Sequence, residues 1–269
     1  MPDDEPQRAL PAVMISLPTL LIVLPGVFLG GLIDSIAGGG GLISLPAYLA
    51  AGLPTHVALG NNKFSSCFGT LFATWRYLRW GWIAREVALT AAAAALLGSY
   101  AGARTVLWID PGFLRLLLLV LIPLIAAFTL GNRRLGGGNR LNTVPPGKRY
   151  ALSALAGLSI GFYDGFFGPG TGTFLILFFT IALKCDFVTA NANTKVINLA
   201  SNVAALVGFL GAGKVVISLG IPAALAGIAG NLLGARLVRW RGNRIIRPLI
   251  LVALSLLLVK VVFDLLRRM

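Results

Sequence analysis

The chain has 269 residues, 57% of them hydrophobic and only 12% charged, with a mean hydropathy of +0.85. A water-soluble domain carries about a quarter charged residues, so this composition marks a helical membrane protein; apolar runs reach the ~18 residues that cross a bilayer, and the period-two alternation of a β-barrel is absent. The net charge of +14 does not indicate nucleic acid, because the basic residues fall in short loops between apolar spans, without a basic stripe interleaved with aromatics.

Met1 to Gln7 is acidic and lacks both a basic n-region and a small-residue cleavage site. The first apolar run, residues 13–37, is therefore expected to be a retained helix rather than a signal peptide. Gly38, Gly39, Gly40 and Gly41 end it, because glycine forfeits helix propensity. Residues 42–51 form a ten-residue apolar piece, about 15 Å of helix at 1.5 Å per residue, half a bilayer. Pro54 suits the first turn of a helix running to about residue 74. A loop carrying Arg76, Arg79 and Arg85 follows, then an Ala-rich span over 87–106, a turn at Asp110-Pro111-Gly112, and a span over 113–130. Residues 132–149 hold Arg133, Arg134, Arg140, Lys148 and Arg149 with no acid, a triple glycine and Pro145-Pro146, which reads as a flexible linker. Beyond it lie a span over 150–167, the break Gly168-Pro169-Gly170-Thr171-Gly172, a short piece over 173–183, and spans over 187–210, 215–238 and 245–266.

The second half repeats the first. Asp34 aligns with Asp164, Gly38 with Gly168 and Gly40 with Gly170; after a two-residue shift Asn61 aligns with Asn193 and Lys63 with Lys195. At that same shift Gly98-Ser-Tyr-Ala-Gly-Ala-Arg104 matches Gly230-Asn-Leu-Leu-Gly-Ala-Arg236. Residues 1–131 and 150–269 thus form two repeat domains joined by the linker 132–149. If each short piece counts as one crossing, each unit has five elements, and the basic loops near 75–85, 132–149 and 236–247 share one side, the cytoplasmic one, with the N-terminus outside. Four elements per unit would split those loops between sides. An odd count inverts the second copy relative to the first. The expected fold is an all-α polytopic membrane protein of two inverted repeats, each with a broken or half helix at its glycine-rich stretch.

Non-helical backbone at membrane depth is tolerated only where protein buries it or water lines it. The two breaks therefore point to a shared central cavity, and Gly39, Gly40, Gly170 and Thr171 are candidate binding positions. The isolated pairs Gly98/Gly102 and Gly230/Gly234 suit close helix packing instead. A lysine within a span marks a substrate path or a partnered charge. Lys63, Ser66 and Thr70 share one helix face, and Lys195, Asn198 and Asn202 share its counterpart. With Asn61, Asn62, Asn193 and Thr194 these form a candidate site for a small anion, aided by the helix starts near Pro54 and Phe187. The competing reading pairs Lys63 with Asp34 and Lys195 with Asp164 as structural ion pairs. The two aspartates could gate, neutralise the lysines, relay protons or accept backbone N–H bonds. His56 has no counterpart, so a metal site is not expected and an interfacial role fits better. Cys67 and Cys185 give no disulfide or metal framework and read as packing residues.

The run IDSIAGGGGLISLPAYLAAGLPTHVALGNNK, with its second copy carrying ANANTK, resembles the TauE/SafE sulfite-exporter family of membrane anion permeases over nearly the whole chain. The resemblance implies a permease of the cell inner membrane that moves sulfite, sulfonates or related organosulfur anions, usually outward, with no cofactor. The first copy departs from the pattern in FSSCFGT, which leaves open a contact between the Cys67 thiol and substrate. The leading reading is a secondary transporter working by alternating access. A passive anion channel is the alternative, and an enzyme acting on a lipid phosphate is disfavoured, since it would need clustered carboxylates or a histidine for the acid–base work, and the chain has nine acids and one His. Expected partners are the small anion and the lipid bilayer, with no nucleic acid. Exposed Gly/Ala faces permit a homodimer without requiring one.

Overall fold

The structure, a computed structural model, describes residues 16–109, 138–252 and 255. It is helical throughout these residues, without strands: α1 (Leu17–Ala37), α2 (Gly41–Ala50), α3 (Thr55–Arg79), α4 (Arg85–Val106), a 3-10 turn (Leu141–Thr143), α5 (Pro146–Phe166), α6 (Thr171–Ile181), α7 (Phe187–Gly211) and α8 (Ile217–Arg241). A further helical segment covers 243–252. α1, α4, α7 and α8 are long and apolar enough to cross a bilayer. The expected span 113–130, the turn at Asp110-Pro111-Gly112, Arg133 and Arg134 lie outside the described residues, as does most of 245–266.

Local chemistry sets the ends of these helices. Ser16 caps α1 by accepting from the Thr19 amide at 3.3 Å, and Asp186 caps α7 by accepting from the Thr189 amide at 3.2 Å. Pro146 opens α5 within its first turn. Gly38 stops α1 in the left-handed region (φ 76°), a conformation that costs a residue with a Cβ. α3 runs one turn beyond the expected end. Arg76 and Arg79 sit in its last turn, where cations suit the helix C-terminus, and the Arg79 guanidinium lies 4.4 Å from the Trp75 ring centroid. They are therefore helical rather than loop residues, and Arg85 begins α4. The described part of the linker is anchored rather than flexible. Leu141 and Val144 are buried, Asn139 Oδ1 accepts from the Leu141 amide, Arg149 Nε donates to the Val144 carbonyl at 2.7 Å, and Lys148 and Arg149 already belong to α5.

The short helices double back. On α1, Gly26 abuts Ala47 of α2, and Gly30 lies against Gly40 and Ser44. α2 thus returns beside α1 towards the end where α1 began, and the two are arms of one hairpin. α5 and α6 do the same around Tyr163, whose ring packs tilted against Phe174 (centroids 5.4 Å apart) and whose hydroxyl donates to the Pro169 carbonyl at 2.7 Å. The physical reason is length: ten residues span about 15 Å, too little to cross.

The two halves interlock. α1 packs along α8, and α4 packs along α5. The small residues named above make this close approach possible. A Cβ on Gly102 would meet the α5 backbone (2.8 Å from the Phe166 amide nitrogen), and one on Gly234 would lie 2.8 Å from Ser35 Cβ on α1. α3 and α7 cross antiparallel at the centre: Lys63 of α3 reaches Asn202 of α7, and Thr74 Oγ1 donates to the Lys195 carbonyl at 3.0 Å. The described parts of the three basic loops meet at one end of the bundle. There Arg239 lies over the Trp80 ring (5.3 Å), Tyr150 donates to Glu86, and the Arg140 amide donates to the Lys184 carbonyl. At the opposite end His56 Nε2 lies 3.3 Å from the Val106 carbonyl, and Gly60 abuts the Lys214 backbone.

The two breaks touch: Gly38 lies against Gly172, and a Cβ on Gly172 would sit 2.6 Å from the Gly38 carbonyl oxygen. Gly172→Ala is expected to destabilise the protein by about 1–3 kcal/mol through overpacking of backbone that cannot retreat. Thermal unfolding in detergent measures this, and an unchanged midpoint would show the contact to be slack.

Candidate functional site

A helix that ends inside a membrane protein leaves carbonyls that must find donors. At the end of α1 they do. The Asp34 carbonyl accepts from the Gly38 amide and from Lys195 Nζ; the Ser35 carbonyl accepts from Tyr77 OH and Asn191 Nδ2, both at 2.9 Å; the Ala37 carbonyl accepts from Thr173 Oγ1 at 2.8 Å. Apart from Gly38, these donors come from α3, α6 and α7. The cation also suits the negative end of the α1 dipole.

The ion pairs run crosswise between the halves. Lys63 Nζ lies 2.8 Å from Asp164 Oδ1, and Lys195 Nζ lies 3.0 Å from Asp34 Oδ2. This corrects the pairing of Lys63 with Asp34 and of Lys195 with Asp164. Each lysine instead pairs with the aspartate of the other half's broken helix, because α3 and α7 cross at the centre with their lysines turned towards opposite hairpins. The lysine side chains are buried, and the aspartate side chains are 3% (Asp164) and 14% (Asp34) exposed. Asp164 Oδ2 also accepts from Ser201 Oγ, whose own carbonyl accepts from Ser99 Oγ at 2.6 Å. Asn198 Nδ2 donates to Asp34 Oδ1, and Lys63 Nζ donates to Asn202 Oδ1 at 3.2 Å.

Between these pairs lies a cavity of about 20 Å³, room for one water-sized group. Of the expected site residues, Asn62, Lys63, Ser66, Thr171, Asn198, Asn202, Asp34 and Asp164 line it. Lys195 does not, because its ammonium is turned to Asp34 and the α1 terminus. Thr70 is buried elsewhere on the same face as Lys63, about 10.5 Å further along α3 at 1.5 Å per residue. Asn61 turns away and donates to the Val57 carbonyl of its own helix. Asn193 Oδ1 accepts from the Ala84 amide at 2.8 Å and so secures the start of α4. Thr194 is buried outside the cavity. Gly39 and Gly170 shape the breaks without lining the cavity, and Gly40 lines a neighbouring cavity of similar size with Asp34, Ser44 and Asn231. Cys67 lines neither cavity, and Cys185 is buried in the apolar core.

The helix N-termini at the cavity are those of α2 and α6, whose first residues Gly41, Thr171 and Gly172 form its wall. The starts of α3 and α7, expected to contribute, lie at opposite ends of the bundle. Neither α2 nor α6 has a side-chain cap, so their positive ends favour negative charge in the cavity. Ser201 and Asn231 were not legible as site residues; Ser201, six positions after Lys195, sits off the face on which the repeat places its polar groups. Chemically, the site offers one ammonium, amide and hydroxyl donors and two half-helix N-termini, balanced by two carboxylates. Among the described residues no cluster of His, Cys, Asp or Glu could hold a metal ion.

Comparison with known proteins agrees with a membrane transporter. The sulfite exporter TauE/SafE family matches residues 23–261. Probable membrane transporter protein YfcA of Escherichia coli (strain K12) is 36% identical over 248 residues, covering 92% of this chain and 91% of that protein. Probable membrane transporter protein ORF9 of Sinorhizobium sp is 34% identical over 245 residues, 91% of this chain and 93% of its own. A probable membrane transporter protein of Haemophilus influenzae is 34% identical over 251 residues, 93% and 97% respectively. No solved structure matches. The chain belongs to the sulfite exporter TauE/SafE family of membrane transporters.

Proposed function

We propose that the protein is a secondary transporter of a small sulfur-containing oxyanion, such as sulfite or an organosulfonate, working by alternating access in the outward direction. The observation that carries this reading is the cavity where the two breaks meet, with Lys63, Asn62, Asn198, Asn202 and two half-helix N-termini around it. Donors in that number suit a group with several equivalent oxygens. At about 20 Å³ the cavity must expand to admit an oxyanion. Rocking of one half against the other would open it first to one side and then to the other.

The same reading treats residues 1–131 and 150–269 as inverted repeats joined by 132–149. Each consists of a re-entrant hairpin and three crossing helices, five elements in all. The chain leaves the described residues at 109, at the His56 end, and re-enters at 138, at the basic end; the apolar sequence 113–130 suits the fifth element. The basic end would face the cytoplasm and the N-terminus the outside, in a cell inner membrane.

Thermal shift of the purified protein with sulfite, sulfate, thiosulfate, sulfoacetate, taurine and phosphate tests the substrate class. Selective stabilisation by a sulfur oxyanion is expected in the wild type. No shift with any of these anions would sink the reading. Flux that never saturates would favour a channel instead.

A further inference from the structure

An anion transporter needs a positive site, yet this one is neutral. Lys63 faces Asp164, Lys195 faces Asp34, and the four charges cancel. An anion entering such surroundings meets no net side-chain charge, only the partial positive charge of the two half-helix N-termini, so much of its charge enters a low-dielectric interior uncompensated, which is strongly disfavoured. The two lysines are also unequal, since Lys63 lines the cavity and Lys195 does not. The ammonium an anion can reach is therefore Lys63, and reaching it displaces Asp164 Oδ1 from 2.8 Å away.

We propose that Asp164 takes up a proton as the anion takes Lys63, so that each monoanion crosses with one proton, while the Lys195–Asp34 pair stays closed. The proposal rests on the oxyanion-transport reading above. Among the described residues the displaced carboxylate finds no replacement cation. From α7 it meets the Ser201 hydroxyl, with the Asn202 amide on the same cavity wall, and from α4 the nearby Ser99 hydroxyl is bonded to the Ser201 carbonyl. α6 carries no ionisable side chain. Tyr163, its neighbour on α5, donates to the Pro169 carbonyl. Across the cavity Lys195 is bound to the Asp34 carboxylate and carbonyl. Left ionised and buried, Asp164 would carry the large penalty of a broken buried pair.

The step balances simply. A proton from water adds to Asp164 Oδ1 where Lys63 was bound, Lys63 keeps its three protons and turns to the anion, and Ser201 still donates to Oδ2. Release reverses each of these changes. Charge balance then favours monoanions, a sulfonate or hydrogen sulfite, and a dianion would need a second proton.

The test uses proteoliposomes that hold a pH-sensitive dye and receive a gradient of labelled isethionate or methanesulfonate, monoanions that do not titrate near neutrality. Sulfite is run in parallel with its own buffering subtracted. The expected result is labelled flux accompanied by acidification of the receiving side, one proton per monoanion and insensitive to a clamped membrane potential. Asp164 and Asp34 both line the cavity, so Asp164→Asn and Asp34→Asn are each expected to lower flux. The readout is therefore protons moved per labelled anion, which falls to zero in the residual flux of Asp164→Asn and stays at one in that of Asp34→Asn. Wild-type flux without any pH change would overturn the coupling and leave oxyanion transport standing. Loss of coupling in Asp34→Asn but not in Asp164→Asn would overturn the assignment. No flux of any of these anions would overturn both readings.

Discussion

Replacing Lys63 by Met lowers thermal stability sharply, and adding Asp164→Asn restores much of it without restoring anion binding. The single change removes the cation paired with Asp164, whose side chain is 3% exposed. Breaking a buried pair from one side costs about 3–5 kcal/mol, whereas removing both charges is often close to neutral. The double variant is the informative protein, because it separates loss of fold from loss of site: folded, monodisperse in detergent, and no longer stabilised by any sulfur oxyanion. Asp34→Asn, by contrast, is expected not to rescue Lys63→Met, because the pair is crosswise between halves. Equal rescue by Asp34→Asn would refute the observed pairing, and anion binding by the Lys63→Met/Asp164→Asn protein would remove Lys63 from the site.

Lys195→Met is expected to destabilise at least as much, for a different reason. Its ammonium satisfies both the Asp34 carboxylate and the Asp34 carbonyl at the C-terminus of α1. Asp34→Asn therefore rescues it only in part, since the carbonyl still lacks its charged donor. Anion-induced stabilisation persists in this second double variant, because Lys63 and the cavity wall remain. The comparison of the two rescued proteins decides whether the lysines are equivalent. Loss of anion binding in both would place Lys195 in the site and contradict the geometry.

The residues that line the cavity were largely legible. Polar and charged groups within apolar spans are costly, so Asp34, Lys63, Asp164 and Lys195 announce themselves, and the repeat shows that each break belongs with a lysine-bearing helix. Helical spacing rightly put Lys63 and Ser66, and Asn198 and Asn202, on the faces that line the cavity. It failed for Thr70 and Lys195, because a shared face does not say where along the helix another element crosses it. It failed for Asn61 and Asn193, which lie next to site residues but serve their own helix and the start of α4. The glycine pairs were read correctly as packing surfaces, since a Cβ at those positions would strike a neighbouring helix.

The sequence by itself determined that this chain is a helical membrane protein, that matching polar and glycine residues recur in its two halves, and that its polar chemistry gathers at two glycine breaks. All three follow from composition and local pattern, which act within a span or within one copy. Only the tertiary structure decided that the short helices double back as hairpins, that each lysine serves the opposite half, and that one lysine faces the cavity while the other caps α1. These depend on how the halves interlock, with α1 on α8 and α4 on α5. Internal similarity cannot encode that arrangement, because two copies of a unit are equally alike whether their charges pair within each copy or across the two.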